Sequence, residues 1–269
     1  MTPSFVKRKT KQFLKILVHS SIIWVFLTTI LPQVLLKLSI PLQLNVIPSI
    51  LSNTEIQLLI AHPDDEVMFF APTLIELLKP KYNNTISVTC FSTGNAEGLG
   101  HIRSRELITS LKILGIDDVE IVDDETKFKD SMSLEWKSND ILEYIKKPII
   151  LTFDKDGISL HPNHISLFKA ALASSKRVVS LKTWSFWEKY SSTIITNYRI
   201  VLKYVQHFTN DNEINNSSDK SVSIFNDLPS VILTIAAMSF GHQSQMVWFR
   251  WGWLVVSRYV NSNELIIVK

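Results

Sequence analysis

The sequence predicts an α/β domain, a three-layer Rossmann-like fold with a mostly parallel sheet, behind an N-terminal membrane anchor. Short apolar runs rich in β-branched residues alternate with longer helical segments, and clusters of His and Asp follow directly on two of those runs. Alternation of this kind buries a parallel sheet between helices, and such folds bind ligands at the carboxyl ends of their strands. The anchor rests on a third observation. From Ile16 to Leu36 the chain carries no Asp, Glu, Lys or Arg, a span about long enough to cross a bilayer core.

Taken in order, residues 1–40 comprise the basic tail Lys7-Arg8-Lys9-Thr10-Lys11 and the anchor, within which Pro32 is tolerable. A cleaved signal peptide is the alternative. The length of the apolar stretch, with no small-x-small cleavage site after it, favours the anchor. Residues 41–53 read as a linker and 54–269 as the domain. Ile56 to Ile60 is a strand, Val67 to Leu78 a helix interrupted at Pro72, Ile86 to Phe91 a strand, and Ile102 to Leu114 a helix stopped by Gly115. Then come a strand at Val119 to Val122, a helix near Leu134 to Ile145, a strand at Ile149 to Phe153, and a helix from Asn163. Asn210 to Lys220 is polar and reads as a surface loop. About 220 residues beyond the anchor suffice for one buried α/β core. The single Cys90 excludes an internal disulfide and, in a strand-like run, is expected to be buried and inert. The net charge of +3 sits largely in the tail, which excludes a nucleic-acid-binding stripe on the domain.

The chemistry concentrates in two clusters. Ala61-His62-Pro63-Asp64-Asp65-Glu66 follows the first strand, and His62 and Asp65, three apart across a turn, can converge on one metal ion. Adjacent carboxylates must point apart, so one can bind metal while the other takes a proton from the attacking water. The competing explanation is a helix start, with Pro63 in the first turn and acids at the positive end of the helix dipole. The second cluster, Asp156-Gly157-Ile158-Ser159-Leu160-His161-Pro162-Asn163-His164, follows another strand and shifts the balance toward a metal. If Pro162 opens a helix, His161 lies at its cap and His164 a turn further on, within reach of an ion held by His62 and Asp65. Three protein ligands leave a fourth position open, as in catalytic zinc sites. His161, beside the metal, can donate a proton or stabilise an oxyanion.

These two clusters resemble the signature motifs of the zinc-dependent N-acetylglucosaminyl deacetylases. Met68-Phe69-Phe70-Ala71-Pro72-Thr73, Cys90-Phe91-Ser92-Thr93-Gly94-Asn95 and Met246-Val247-Trp248-Phe249-Arg250 are similar to the eukaryotic branch that acts on N-acetylglucosaminyl-phosphatidylinositol. The resemblance spans roughly residues 56 to 260. In the wider family an Asp often stands where this chain has Asn163, a position that is not a proposed ligand. The resemblance implies removal of acetyl from the glucosamine of a glycosylated phosphatidylinositol, an early step in making glycolipid protein anchors. By that resemblance His62, Asp65 and His164 hold zinc, Asp64 is the general base, and a protonated His161 shares the oxyanion charge.

Further candidates are less specific. Arg103, in the first turn of its helix, opposes the helix dipole unless an anion compensates it. A substrate phosphate would do so, as would Glu97 or Glu106. Asp123 is a candidate for sugar hydroxyls or a turn cap. His242, in Gly241-His242-Gln243-Ser244-Gln245, either closes the sugar pocket or starts a helix. Trp248, Trp251 and Trp253 with Arg250 and Arg258 suggest an amphipathic segment near lipid headgroups, or core packing.

The expected partners are a membrane glycolipid and the endoplasmic reticulum membrane. Orientation is contested: Lys7, Arg8, Lys9 and Lys11 place the domain in the lumen by the positive-inside rule, whereas the resemblance implies a domain facing the cytosol, which we adopt. A deacetylase of a soluble glucosamine conjugate and a non-catalytic membrane subunit are the alternatives from other classes.

Overall fold

The computed structural model describes residues 3–38, 45–209 and 221–269. Its N-terminal segment forms α1 (Pro3–Val25), a π turn (Phe26–Ile30) and α2 (Leu31–Leu38). Pro32 has no N–H to bond back to the carbonyl of residue 28, and the π turn sits at that break. The charge-free stretch is thereby divided, and among the described residues no helix is long and apolar enough to cross a membrane.

The domain begins earlier than expected. Residues 45–53, taken for linker, pack onto it: Leu51 is buried in the core, and the Asn45 amide donates to Glu76 and to the Phe225 carbonyl. From there β1 (Glu55–Ile60) enters the middle of the sheet, and α3 (Asp65–Met68) and α4 (Ala71–Leu77) follow. Ile56, Leu58, Leu59 and Ile60 are fully buried, because a central parallel strand is covered on both faces. Gln57 interrupts the run and is satisfied, donating to Thr89 Oγ1 at 2.8 Å and accepting from the Lys146 N–H at 2.8 Å. Pro72 does not kink one helix; it occupies the first turn of a second.

Next come β2 (Thr85–Cys90), α5 (Gly100–Leu114), β3 (Val119–Ile121), α6 (Ser138–Leu142) and β4 (Ile149–Phe153). Gly115 caps α5 with φ +87°, the left-handed geometry that ends helices. The helix expected over Leu134 to Ile145 is shorter. Then follow the helical turn α7 (Gly157–Leu160), α8 (Pro162–Ala173), β5 (Arg177–Leu181), α9 (Phe186–Lys189) and α10 (Ile194–Thr209). The polar loop expected at Asn210 to Lys220 lies outside the described residues. The chain ends with β6 (Ser221–Phe225), α11 (Leu228–Ala236), α12 (Trp248–Val256) and β7 (Ser262–Ile267).

The seven strands run in the order β3-β2-β1-β4-β5-β7-β6. The first five are parallel, and β7 is antiparallel to both its neighbours. Helices α4, α5 and α11 pack together as one layer, and α6 packs on α8, which lies against β4. The order reverses between β1 and β4, so the loops leaving these neighbours diverge and open a crevice at their carboxyl ends. Both His clusters stand there.

Cys90 is buried and its thiol donates to the Ser92 carbonyl at 3.2 Å; burial pushes its pKa well above the ordinary value, so it is inert as expected. Gly241, closing a second π turn, lies so near α5 that an added Cβ would sit 2.6 Å from Ser110 Cβ and 2.7 Å from its Cα. Gly241→Ala is therefore expected to destabilise the fold by about 1–3 kcal/mol. An unchanged unfolding midpoint would show that the two elements can part freely.

Candidate active site

The turn after β1 is built around Asp65. Its Oδ2 accepts from the Ala61 N–H at 3.0 Å and the His62 N–H at 2.9 Å, which fixes the loop as it leaves the strand. Asp64 is held at φ +112°. The Glu66 carboxylate maintains that turn: Oε2 accepts from the Asp64 N–H at 3.1 Å, while Oε1 accepts from Ser110 and lies 2.6 Å from His242 Nε2. The helix starts only at Asp65, so Pro63 is not its opening residue.

On the neighbouring strand, Pro162 does open α8, and His161 caps it, Nδ1 accepting from the Asn163 N–H. His161 thereby keeps its proton on Nε2. His164 stacks on Phe153 with ring centroids 3.8 Å apart, and its Nδ1 faces the Gly157 carbonyl at 3.1 Å. Gly157 has φ +52°, and a Cβ there would meet His164 Cβ at 3.0 Å, so only glycine lets the backbone approach this ring.

These loops bring ligand atoms of His62, Asp65 and His164 within 4.8 Å of one another, all three residues buried. His62 Nε2 faces two acceptors, Asp130 Oδ1 at 3.1 Å and Asn163 Oδ1 at 3.2 Å, and therefore donates. That leaves Nδ1 with its lone pair toward Asp65, 3.7 Å from Oδ2. His164 Nε2 is buried without a hydrogen-bond partner, 3.3 Å from Asp65 Oδ1. An orphaned imidazole nitrogen beside a carboxylate and a second imidazole, each ring held by its other nitrogen, fits a divalent cation. His62, Asp130 and His161 form a second such group, but it would need the nitrogen that His62 already gives to Asp130 and Asn163.

The electrostatics divide the two aspartates. Burial works to raise Asp65, but His164 and His62 outweigh it and hold the carboxyl below its ordinary range. For Asp64, burial wins over Arg103 and Arg250, and its pKa is raised. Arg250 Nη2 lies 3.1 Å and Arg103 Nη2 3.4 Å from Asp64 Oδ2. His161 is pushed down to about 4 by burial and by the His164 and His62 rings, so at neutral pH it is an uncharged donor rather than the protonated imidazole expected. Burial alone would lower His62, yet the hydrogen bond to Asp130 and the charge of Asp65 raise it.

Around this group lies an open cleft of about 440 Å³, walled by Arg103, Asp130, His161, Lys189, Gln245 and Phe249 among others. The family profile of the GlcNAc-PI de-N-acetylases (PIG-L) matches residues 57–175 of the chain, which include both His clusters. A Schizosaccharomyces pombe protein named as a probable N-acetylglucosaminyl-phosphatidylinositol de-N-acetylase is 36% identical over 219 residues, covering 76% of this chain and 83% of that protein. The chain belongs to this family. The Saccharomyces cerevisiae de-N-acetylase of the same specific name is 32% identical over 93% of this chain and 92% of its own. A solved deacetylase of teicoplanin biosynthesis shares the fold, with a TM-score of 0.51 at 11% identity over 80% of this chain and 99% of that one.

Within this family member, several expected substrate contacts are placed elsewhere. His242 is fully buried behind Glu66 and does not line the cleft, which corrects its reading as closing the sugar pocket; Gln245 from the same run does line the cleft. Asp123 lines a small neighbouring cavity and not the main cleft. Arg103 does face the cleft, but its guanidinium donates to the Gly94 and Pro63 carbonyls and flanks Asp64; neither Glu97 nor Glu106 is its partner. Arg258, grouped with the headgroup-facing residues, is buried and stacks 3.8 Å from the Trp184 centroid. Sequence reasoning missed Asp130, Lys189 and the pairing of Arg250 with Asp64.

The raised Asp64 pKa has a consequence for rate. With Asp64 as the expected base, which acts only when deprotonated, activity is expected to rise with pH through an acid limb set by its pKa. Arg250→Met removes a charge that lowers that pKa, and should move the limb to higher pH. A limb that stayed in place would mean that Asp64 is not the titrating group.

Proposed function

We propose that the chain hydrolyses the acetamide of N-acetylglucosaminyl-phosphatidylinositol, releasing acetate and a free glucosamine amine in GPI-anchor biosynthesis. The observation that carries this reading is the buried His62, Asp65, His164 group beside a raised Asp64, in a member of the GlcNAc-PI de-N-acetylase family. His62 Nδ1, an Asp65 oxygen and His164 Nε2 would hold a divalent cation, and the mixed nitrogen and oxygen donors favour zinc. When bound, such a cation supplies Lewis acidity to the acetyl carbonyl and to water.

The chain's own residues do the rest. Asp64, its Oδ2 held by Arg103 and Arg250, takes the proton of the attacking water on its other oxygen. His161 donates a hydrogen bond from Nε2 to the developing oxyanion, a role open to a neutral imidazole. Asp130 and Asn163 orient His62, and the Gly157 carbonyl orients His164. Arg103 and Lys189, cations on the cleft wall, are suited to the phosphodiester of the substrate.

We further place the chain at the endoplasmic reticulum, with the apolar stretch around the π turn as its membrane anchor and the domain facing the cytosol. Asn83, in Asn83-Asn84-Thr85, is exposed, and Asn215 and Asn216 lie in further acceptor sequences. These positions should stay unglycosylated in expressing cells. Glycans on any of them would reverse the orientation.

The activity itself is tested by incubating purified full-length chain with detergent-dispersed N-acetylglucosaminyl-phosphatidylinositol and measuring acetate. Release from the lipid, with little from unrelated water-soluble N-acetylglucosamine conjugates, supports the reading; the reverse preference would make the chain a soluble-conjugate deacetylase, and release from neither would favour a non-catalytic subunit.

A further inference from the structure

Helix α10 turns an apolar stripe outward and buries polar residues beside Ile200. In a helix on a water-facing surface, the apolar stripe turns inward and polar residues face solvent. Here the buried positions include Thr196 and Asn197 as well as Ile200; Thr196 Oγ1 lies 3.0 Å from Ser262 Oγ, and Asn197 Nδ2 donates to the Leu27 carbonyl at 2.8 Å. Ile194, Tyr198, Val201, Leu202 and Val205 recur at i, i+4, i+7, i+8 and i+11 and form the outward stripe, each between 38% and 62% exposed. A contiguous apolar stripe of this size on the outside marks an interaction surface.

We infer that this stripe lies in the interfacial layer of a lipid bilayer, docking the domain on the membrane alongside the apolar N-terminal stretch. Its surroundings identify the occupant. Thr193 and Asn197 both donate to the carbonyl of Leu27, which sits midway along the charge-free stretch Ile16 to Leu36, so α10 is fastened to the most lipid-compatible part of the chain. The same exposed character continues on both flanks. Trp187, 81% exposed, lies on α9, which ends just before α10 begins, and the Ser192 N–H donates to the Val256 carbonyl at the end of α12, which carries Trp248, 85% exposed, and Trp251. Tyrosine and tryptophan beside aliphatic residues match the boundary between headgroups and acyl chains. Lys189, Tyr190 and Phe249 belong to these flanking segments and also line the cleft, so a bilayer against the stripe would adjoin the cleft mouth. The inference deepens the reading above, on which it rests for the lipid nature of the substrate.

The test uses the full chain reconstituted in vesicles of phosphatidylcholine and phosphatidylinositol, spin-labelled at single cysteines introduced by Tyr198→Cys, Val201→Cys, Val205→Cys or, as control, Lys112→Cys on α5. The native Cys90 is buried and will not label. Stripe positions should collide preferentially with oxygen, which concentrates in lipid, and the control with a water-soluble nickel complex. Stripe labels as open to nickel as the control would overturn the inference. Shielding from both reagents would also overturn it, in favour of a protein cover. In the same vesicles, Val201→Asp combined with Val205→Asp should raise KM for the glycolipid about tenfold, the effect of removing about one aliphatic side chain from lipid contact. Hydrolysis of a water-soluble N-acetylglucosaminyl-inositol phosphate should be unchanged, and an equal loss on both substrates would count against docking. A wild-type chain that hydrolyses neither substrate would defeat the proposed function, while the label collisions, read without turnover, still decide the docking.

Discussion

Replacing His164 is expected to remove bound metal and deacetylation together, with activity falling by about a thousandfold or more. His164 Nε2 is buried, has no protein hydrogen-bond partner, and faces Asp65 Oδ1 at 3.3 Å, so its lone pair is available only to something that enters between them. His164→Ala would also lose the stack on Phe153, which confuses a ligand's role with a packing role. His164→Phe keeps an aromatic ring there and removes both ring nitrogens, Nε2 and the Nδ1 that faces the Gly157 carbonyl. Elemental analysis of the purified variants should find the metal gone from both, and equally from His62→Ala and Asp65→Ala. Full occupancy in the phenylalanine variant would dismiss His164 as a ligand.

Asp64→Asn should separate binding from turnover. The amide cannot take a proton from water, so kcat is expected to fall about 10²- to 10⁴-fold while metal content stays at the wild-type level. Asp64 shares no hydrogen bond with His62 or His164, and the backbone turn that carries it is fixed by Glu66, which the substitution leaves intact. Arg103 and Arg250 lose the charge they flank, so a lower unfolding midpoint is expected as well. Near-normal turnover with the amide in place would assign the base elsewhere, with Asp130 the nearest alternative carboxylate on His62.

How much of this was legible in the sequence depended on whether the signal was local. The parallel half of the sheet was, because β1, β2 and β4 are buried on both faces and carry runs rich in apolar and β-branched residues. β7 was not: Asn263 and Glu264 look like loop residues, yet Asn263 Oδ1 accepts from Thr73 and Glu264 pairs with Lys182 and Arg199. The two His clusters were legible because proline and the ligand residues fall within a few positions of each other. Asp130 was hidden. It lies in an irregular segment with no motif around it, and reaches His62 because Phe128 and Trp136 on either side are sunk in the core. Arg250 was misread for a related reason: a cation among tryptophans suggests a headgroup contact, and only the folded chain brings it 3.1 Å from Asp64. His242 was misread because burial cannot be seen in a polar run such as His242-Gln243-Ser244-Gln245. The outward stripe of α10 was equally invisible, since an apolar stripe in a sequence is assumed to face inward.

The central claim is that one divalent metal at His62, Asp65 and His164 enables this chain to deacetylate its glycolipid. The most direct test strips the purified full-length chain with a chelator, restores zinc in steps, and measures bound metal and acetate release from N-acetylglucosaminyl-phosphatidylinositol on the same samples. Activity is expected to be abolished by stripping and to return in proportion to bound metal, saturating at one ion per chain. Full acetate release from the stripped chain, or saturation only at two ions, would contradict the account.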